Sequence, residues 1–202
     1  SAVLGVVDCT AVDDPALLSS PALTQARIHS WTATDLDALS GCAVLEVLHI
    51  THAEELSDLS GVAGCTALRA LTIGESGISS TAPLAGLAAL TALTLQKSAQ
   101  LRTLDGLGSL PSLSTLDLTG SALDNLDGLA GSQSLTHLCL TGCTGLDQIH
   151  GTRDITTLEE LLLPSGRGRW SARYTEEGIT KLQERLHADV RKAEAMAAGD
   201  PM

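Results

Sequence analysis

The stretch Leu90–Leu110 reads L-T-A-L-T-L-Q-K-S-A-Q-L-R-T-L-D-G-L-G-S-L. Its first leucines, Leu90, Leu93 and Leu95, follow L-x-x-L-x-L, which puts Leu93 and Leu95 on one face of an extended segment. Leu101, Leu104, Leu107 and Leu110 then recur at every third residue, the spacing of a 3-10 turn. Neither half can bury its leucines alone, and the pattern restarts at Leu113.

Sliding the sequence against itself by 22 or 23 residues brings most of the chain into register. The first leucine site is filled by Leu23, Leu45, Leu68, Leu90, Leu113, Leu135 and Leu158. The next two sites read Ala26/Ile28, Leu48/Ile50, Leu71/Ile73, Leu93/Leu95, Leu116/Leu118, Leu138/Leu140 and Leu161/Leu163. One further period back reaches Ser1, so Leu4/Val6 is the expected inward pair of the first coil, and Cys9 its fourth site. That fourth site reads Cys9, Trp31, Ala53, Ser76, Ser98, Ser121, Cys143 and Gly166. It contains no Asn, so an asparagine ladder between coils is excluded, and Ser and Cys can replace only part of it.

These motifs resemble leucine-rich repeats, over about four-fifths of the chain. The short period and the L-x-x-L-x-x-L return segment resemble the 22-residue subclass found in internalins and phosphatase-1 regulatory subunits. The run Leu138-Cys139-Leu140-Thr141-Gly142-Cys143 also resembles repeats of kinetoplastid protozoa. The resemblance implies an α/β repeat solenoid: a parallel concave sheet, a convex side of 3-10 or irregular turns, and a C-terminal helical cap.

Composition fits that architecture. Hydrophobic residues make up 44% of 202 residues, yet there is no Phe, one Tyr and two Trp. Thin stacked coils fill with Leu, Ile, Val and Ala, whereas a globular core of this size uses aromatics. The sequence has no 18-residue apolar run, so no membrane insertion is expected. Cys9 and Cys143 occupy the fourth site, and Cys42 and Cys65 take the place that Leu87, Leu110 and Ile155 hold in other coils. They read as reduced core thiols, and with Cys139 they make an odd count, which points to a cytoplasmic or nuclear setting.

One elongated domain is expected, in two segments: a solenoid of about eight repeats over 1–166, and a basic loop with an amphipathic capping helix over 167–202. Because Leu4-Gly5-Val6-Val7 is already strand-like and no polar cap precedes it, the chain reads as a fragment of a larger protein. The alternative is a first coil covered by Ala11–Ser20. Self-association through that uncapped coil is a further expectation. Ser165-Gly166-Arg167-Gly168-Arg169 forms the loop, and Thr175-Glu176-Glu177 starts a helix with Ile179, Leu182, Leu186 and Val190 on one face. That helix either caps the last coil, with Trp170 and Tyr174 as apolar plugs, or binds a partner.

Strand alternation turns the residues between the leucines toward solvent. One such column is expected to read Gly5, Arg27, His49, Thr72, Thr94, Asp117, Cys139 and Leu162. The next is expected to read Val7, His29, Thr51, Gly74, Gln96, Thr119, Thr141 and Pro164. From these come the candidate partner-binding residues Arg27, His29, His49, Thr72, Thr94, Gln96, Asp117 and Thr119, set against the plain alternative of a solvated, threonine-rich strand face. Arg27, His29, His49 and His52 suggest a cationic cluster; a metal site there is disfavoured because His49 and His52 diverge along an extended segment.

Residues 1–152 carry 15 acids against four basic side chains, which argues against nucleic acid binding by the body. The loop with Arg167, Arg169 and Arg173 offers basic charge to a phosphate or an acidic partner, against the plain alternative of a solvated loop. The sequence has no phosphate-cradling glycine loop, no H-E-x-x-H and no C-x-x-C. His137 and Cys139 share a strand face but lack an evident third group, so no enzyme and no cofactor is expected. The function expected is protein–protein recognition through the concave face. The alternatives are a regulatory or targeting subunit of an enzyme such as a phosphatase, and a structural spacer in a cytoskeletal assembly.

Overall fold

Leu48 and Ile50 point inward while Val47 and His49 face outward, and this alternation repeats in each coil of the computed structural model. The structure describes residues 5–10, 18–146, 149–152 and 155–164. Eight short strands form one all-parallel sheet in sequence order: β1 Val6–Cys9, β2 Gln25–Ile28, β3 Val47–Ile50, β4 Ala70–Gly74, β5 Ala92–Gln96, β6 Thr115–Asp117, β7 His137–Cys139 and β8 Glu160–Leu162. Parallel neighbours need a crossover, and here each crossover is the rest of one coil. Ala26, Leu48, Leu71, Leu93, Leu116, Leu138 and Leu161 are successive partners across the sheet, as the repeat alignment predicts from the second coil onward.

The first coil departs from expectation. Val7 pairs with Ala26 and Cys9 with Ile28, so these two form the inward pair: Val6 of the expected pair faces outward, and Cys9 fills an inward strand site and not the fourth site. Val6 is 62% exposed. The first coil is three residues shorter than the 22-residue step, and counting back a full period overshoots by that amount. Leu4-Gly5-Val6 and Val7-Asp8-Cys9 present the same apolar alternation, so periodicity alone does not separate them. As a consequence Asp8, not Gly5, lies beside Arg27.

Opposite the sheet the chain returns through single 3-10 turns, at Asp37–Leu39, Ser60–Val62, Ala82–Leu84, Leu107–Ser109, Asp127–Leu129 and His150–Thr152. The three-residue spacing of Leu101, Leu104, Leu107 and Leu110 therefore contains only one turn of 3-10 helix, although all four leucines are buried. Short side chains start several of these turns. The Asp58 carboxylate accepts from the Ser60 N–H at 2.8 Å, and Asp35 and Asn125 do the same for Asp37 and Asp127. Gly61 and Gly128 sit where the backbone of one turn meets that of the preceding coil. A Cβ on Gly128 would stand 2.2 Å from the Leu104 carbonyl oxygen.

The interior is a stack of columns, one residue per coil. Leu36, Leu59, Leu104 and Leu126 form one, Leu39, Val62, Leu84, Leu107 and Leu129 another, and all are buried. Thr81 and Thr152 interrupt these columns without orphaning a hydroxyl, since each donates to a carbonyl, of Asp105 at 2.9 Å and of Ile149 at 2.8 Å. The fourth-site column is a partial polar ladder. Ser76 and Ser98 hydroxyls lie 3.0 Å apart, Ser121 Oγ accepts from the Ser98 N–H and donates to the Leu95 carbonyl at 2.7 Å, and the Cys143 thiol donates to Leu118 at 3.0 Å. Trp31 fills the same column in the second coil with its indole N–H on the Asp35 carbonyl.

Cys42, Cys65 and Cys143 are fully buried, Cys9 and Cys139 half-buried, and all five thiols are free. Among the described residues there is no α-helix. The expected helix, the arginine loop, Trp170, Tyr174 and the boundary at 166 lie outside the described residues.

Candidate recognition surface

The outward column through the strand centres reads Asp8, Arg27, His49, Thr72, Thr94, Asp117, Cys139 and Leu162 in continuous register. At about 4.8 Å between strands, Arg27 and Asp117 are separated by roughly 19 Å of sheet. The second column carries His29, Thr51, Gly74, Gln96, Thr119 and Thr141 at the strand ends. All eight candidate residues thus lie on one face. Arg27 and His29 are exposed and the other six half-buried. The face is not uniform: some candidates are joined and others stand alone.

Gln96, Asp117 and Thr119 are brought into direct contact. The Asp117 Oδ2 accepts from Gln96 Nε2 at 2.7 Å, and its Oδ1 accepts from the Thr119 N–H at 2.9 Å and the Thr119 hydroxyl at 2.6 Å. Thr119 Oγ1 also meets Cys139 Sγ at 3.3 Å, and the Cys139 thiol donates to Thr141 at 3.5 Å. Burial pushes the Asp117 carboxyl up, but the hydrogen bonds from Thr119, Gln96 and Cys139 outweigh it and hold the group below its ordinary range. Asp117 is therefore a fixed anion near neutral pH. Thr72 and Thr94 are register neighbours, without a hydrogen bond between their side chains among those observed.

Arg27 and His49 of the expected cationic cluster are register neighbours, but acids stand beside the cluster. Asp8 adds an acid beside Arg27. His52 adopts a left-handed backbone with φ 50°, and its ring reaches the His29 carbonyl at 3.1 Å and the Glu75 carboxylate at 3.5 Å. Among the described residues no three His, Cys, Asp or Glu side chains are placed to hold a metal ion.

His52 belongs to a column that sequence reading missed. The residue just past the strand is left-handed in five successive coils: His52, Glu75, Lys97, Gly120 and Gly142. The turn aims N–H groups at the next coil, with Glu75 on Gln96 at 2.9 Å, Lys97 on Thr119 at 2.8 Å and Gly120 on Thr141 at 2.8 Å. Those bonds offset the cost of about 1 kcal/mol that a side chain incurs in this conformation. Lys97 also reaches Glu75 at 2.7 Å, and this hydrogen bond and charge hold the Glu75 carboxyl below the usual carboxylate range. The signal available in sequence was the pair Gly120 and Gly142 at one repeat position.

Toward β8 the face sinks into an open depression of about 300 Å³, lined by Thr115, Asp117, His137, Cys139, Glu160 and Leu162 among others. His137 Nδ1 lies 2.8 Å from the Thr136 hydroxyl, and its Nε2 lies 3.9 Å from Glu160. Leu162 is 46% exposed.

No family model matches the sequence, and no curated protein matches it. Solved structures do. Internalin C2 from Listeria monocytogenes aligns over 78% of this chain and 70% of its own length at 20% identity, with a TM-score of 0.67. The leucine-rich repeat domain of the type III effector XopL aligns over 72% and 62% at 18% identity, with a TM-score of 0.60. An internalin (inlF) of the same Listeria species aligns over 77% of this chain and 52% of its own length at 23% identity, with a TM-score of 0.52. The chain has the leucine-rich repeat fold, a parallel-sheet solenoid of one strand per coil. At these identities the likeness is one of fold, and the chain spans less than two thirds of two of the three neighbours.

Proposed function

We propose that the protein is a non-enzymatic module that recognises another protein through the open face of its sheet, with Arg27, His29, His49, Thr72, Thr94, Gln96, Asp117 and Thr119 as contact residues. One observation carries this: the polar column Arg27, His49, Thr72, Thr94 and Asp117 runs in unbroken register across five parallel strands, with His29, Thr51, Gln96 and Thr119 at the strand ends beside it. Side chains fixed on stacked strands lose little freedom on binding, so a modest set of contacts suffices. His137 and Cys139 do not speak for catalysis, because hydroxyls of Thr136, Thr119 and Thr141 engage them rather than each other. A cytoplasmic location is proposed from the five free thiols. Among the described residues no helix is long and apolar enough to cross a membrane.

The test is affinity capture from source-cell lysate with a native chain and a triple variant, Arg27→Glu, His49→Glu and Asp117→Lys. A partner held by the native chain and lost by a still-folded variant supports the reading. The same partner held by both sinks it. Self-association is proposed through the first coil, where Val6 is exposed on the edge strand. Light scattering that gives a monomer mass at every concentration would count against it.

A further inference from the structure

The depression between β6 and β8 holds two carboxylates, and among the described residues neither has a Lys or Arg partner. Asp117 is set in place by neutral donors on both oxygens, from Gln96 and Thr119. Neutral hydrogen bonds orient a carboxylate without cancelling its charge. Glu160 is in register with Thr115 and not with Asp117, so it stands two strands across and two residues back, about 12 Å away by strand spacing and rise, with His137 at 3.9 Å. Cys139 lies between Asp117 and Leu162, in register with both, and His137 lies between Thr115 and Glu160. Leu162 leaves apolar surface open at the edge of the same hollow.

We infer that this hollow is the subsite that takes a basic side chain, arginine above all, from the partner protein. This deepens the recognition reading given above and rests on it. A guanidinium presents several donors in a planar fork, which suits the Asp117 carboxylate, Glu160 adds negative charge from the other end of the hollow, and the three-carbon stem has apolar surface to cover. The volume of about 300 Å³ is room for a side chain and not for a folded element. The far end of the face is different in kind: Arg27 is its fixed cation, and Asp8 stands beside it. An arginine therefore has one preferred end of the sheet.

The experiment is fluorescence anisotropy with the full chain and two capped octapeptides in a glycine–serine background, each bearing a neutral fluorophore. One carries a central pair of arginines and the other a central pair of glutamates. The arginine peptide is expected to bind, and to weaken as salt rises from about 50 to 300 mM. Binding is expected to fall about tenfold or more in Asp117→Asn/Glu160→Gln. Glu160→Gln alone, outside the hydrogen-bonded network, keeps the test open if the double variant does not fold, and is expected to weaken binding severalfold. Glu54→Gln/Glu55→Gln, charge-matched but away from the hollow, is expected to bind as the native chain does.

Equal loss in both double variants would reduce the effect to net charge and overturn the subsite. Failure of the arginine peptide to bind, or equal binding of the glutamate peptide, would overturn it too. Binding that appears only after Arg167, Arg169 and Arg173 are changed to Ser would give the hollow to this chain's own basic segment instead of a partner. If the peptide fails while the lysate partner is still lost in the triple variant, recognition by the sheet stands and only the arginine subsite falls.

Discussion

Buried thiols behave here as small apolar groups with a weak donor. The Cys65 thiol donates to the Leu39 carbonyl and that of Cys143 to Leu118, and burial pushes both up to about 11. Coulombic repulsion from Cys42 adds to the effect at Cys65. In the unfolded chain these thiols ionise near their ordinary value, so above about pH 9 the unfolded state releases protons that the folded state keeps. Their contribution to stability is complete below the unfolded value and is lost as pH rises toward 11. Melting temperature measured from pH 8 to 11 is expected to fall more steeply for the native chain than for Cys65→Ala. Parallel curves for the two chains would refute this. At this scale the sequence was informative: the repeat positions of Cys42, Cys65 and Cys143 declared them interior. The half-buried contact of Cys139 with Thr119 was not legible, because it depends on side chains of two different coils.

At the level of the coil, the turns opposite the sheet limit how closely neighbours approach. Gly128 is in contact range of the Leu104 carbonyl, whereas nothing lies within 4 Å of a Cβ on Gly86. Gly128→Ala is therefore expected to force the two turns apart at a cost of about 3 kcal/mol. Gly86→Ala should be neutral or about 0.5 kcal/mol stabilising, because it narrows only the unfolded ensemble. Urea unfolding of both variants checks the pair, and similar midpoints would contradict the close packing of turn on turn. The three-residue leucine spacing foretold a tight return, and the structure keeps only one 3-10 turn per coil. Leucines at such spacing need only reach the interior, which irregular backbone between capping side chains achieves as well as helix.

The whole molecule is a linear array in which each coil touches its neighbours, so cooperativity depends on the interfaces between coils. Leu116, at the centre of β6, is buried between Leu93 and Leu138. Leu116→Ala is expected to cost about 3 kcal/mol through lost burial and a residual cavity. If the coils are coupled through continuous columns, urea unfolding shifts to a lower midpoint with an unchanged slope. A transition that splits into two would show instead that the halves on either side unfold separately. The same continuity bears on the proposed recognition face, since a continuous sheet keeps Arg27 and Asp117 at a constant separation.

The leucine ladder by itself determined the coil period, the inward columns from the second coil to the eighth, and the set of side chains that reach solvent. Burial at a fixed period is a one-dimensional property, and alternation along a strand does the rest. The tertiary structure alone decided the register of the first coil, because two overlapping apolar pairs satisfy the pattern equally and only pairing with Ala26 and Ile28 selects Val7 and Cys9. It also decided which face residues act together. The bonds joining Gln96 to Asp117, Thr119 to Cys139 and His52 to Glu75 cross between coils some 20 residues apart in sequence. Their geometry depends on rotamers and on left-handed turns, and periodicity carries no record of either.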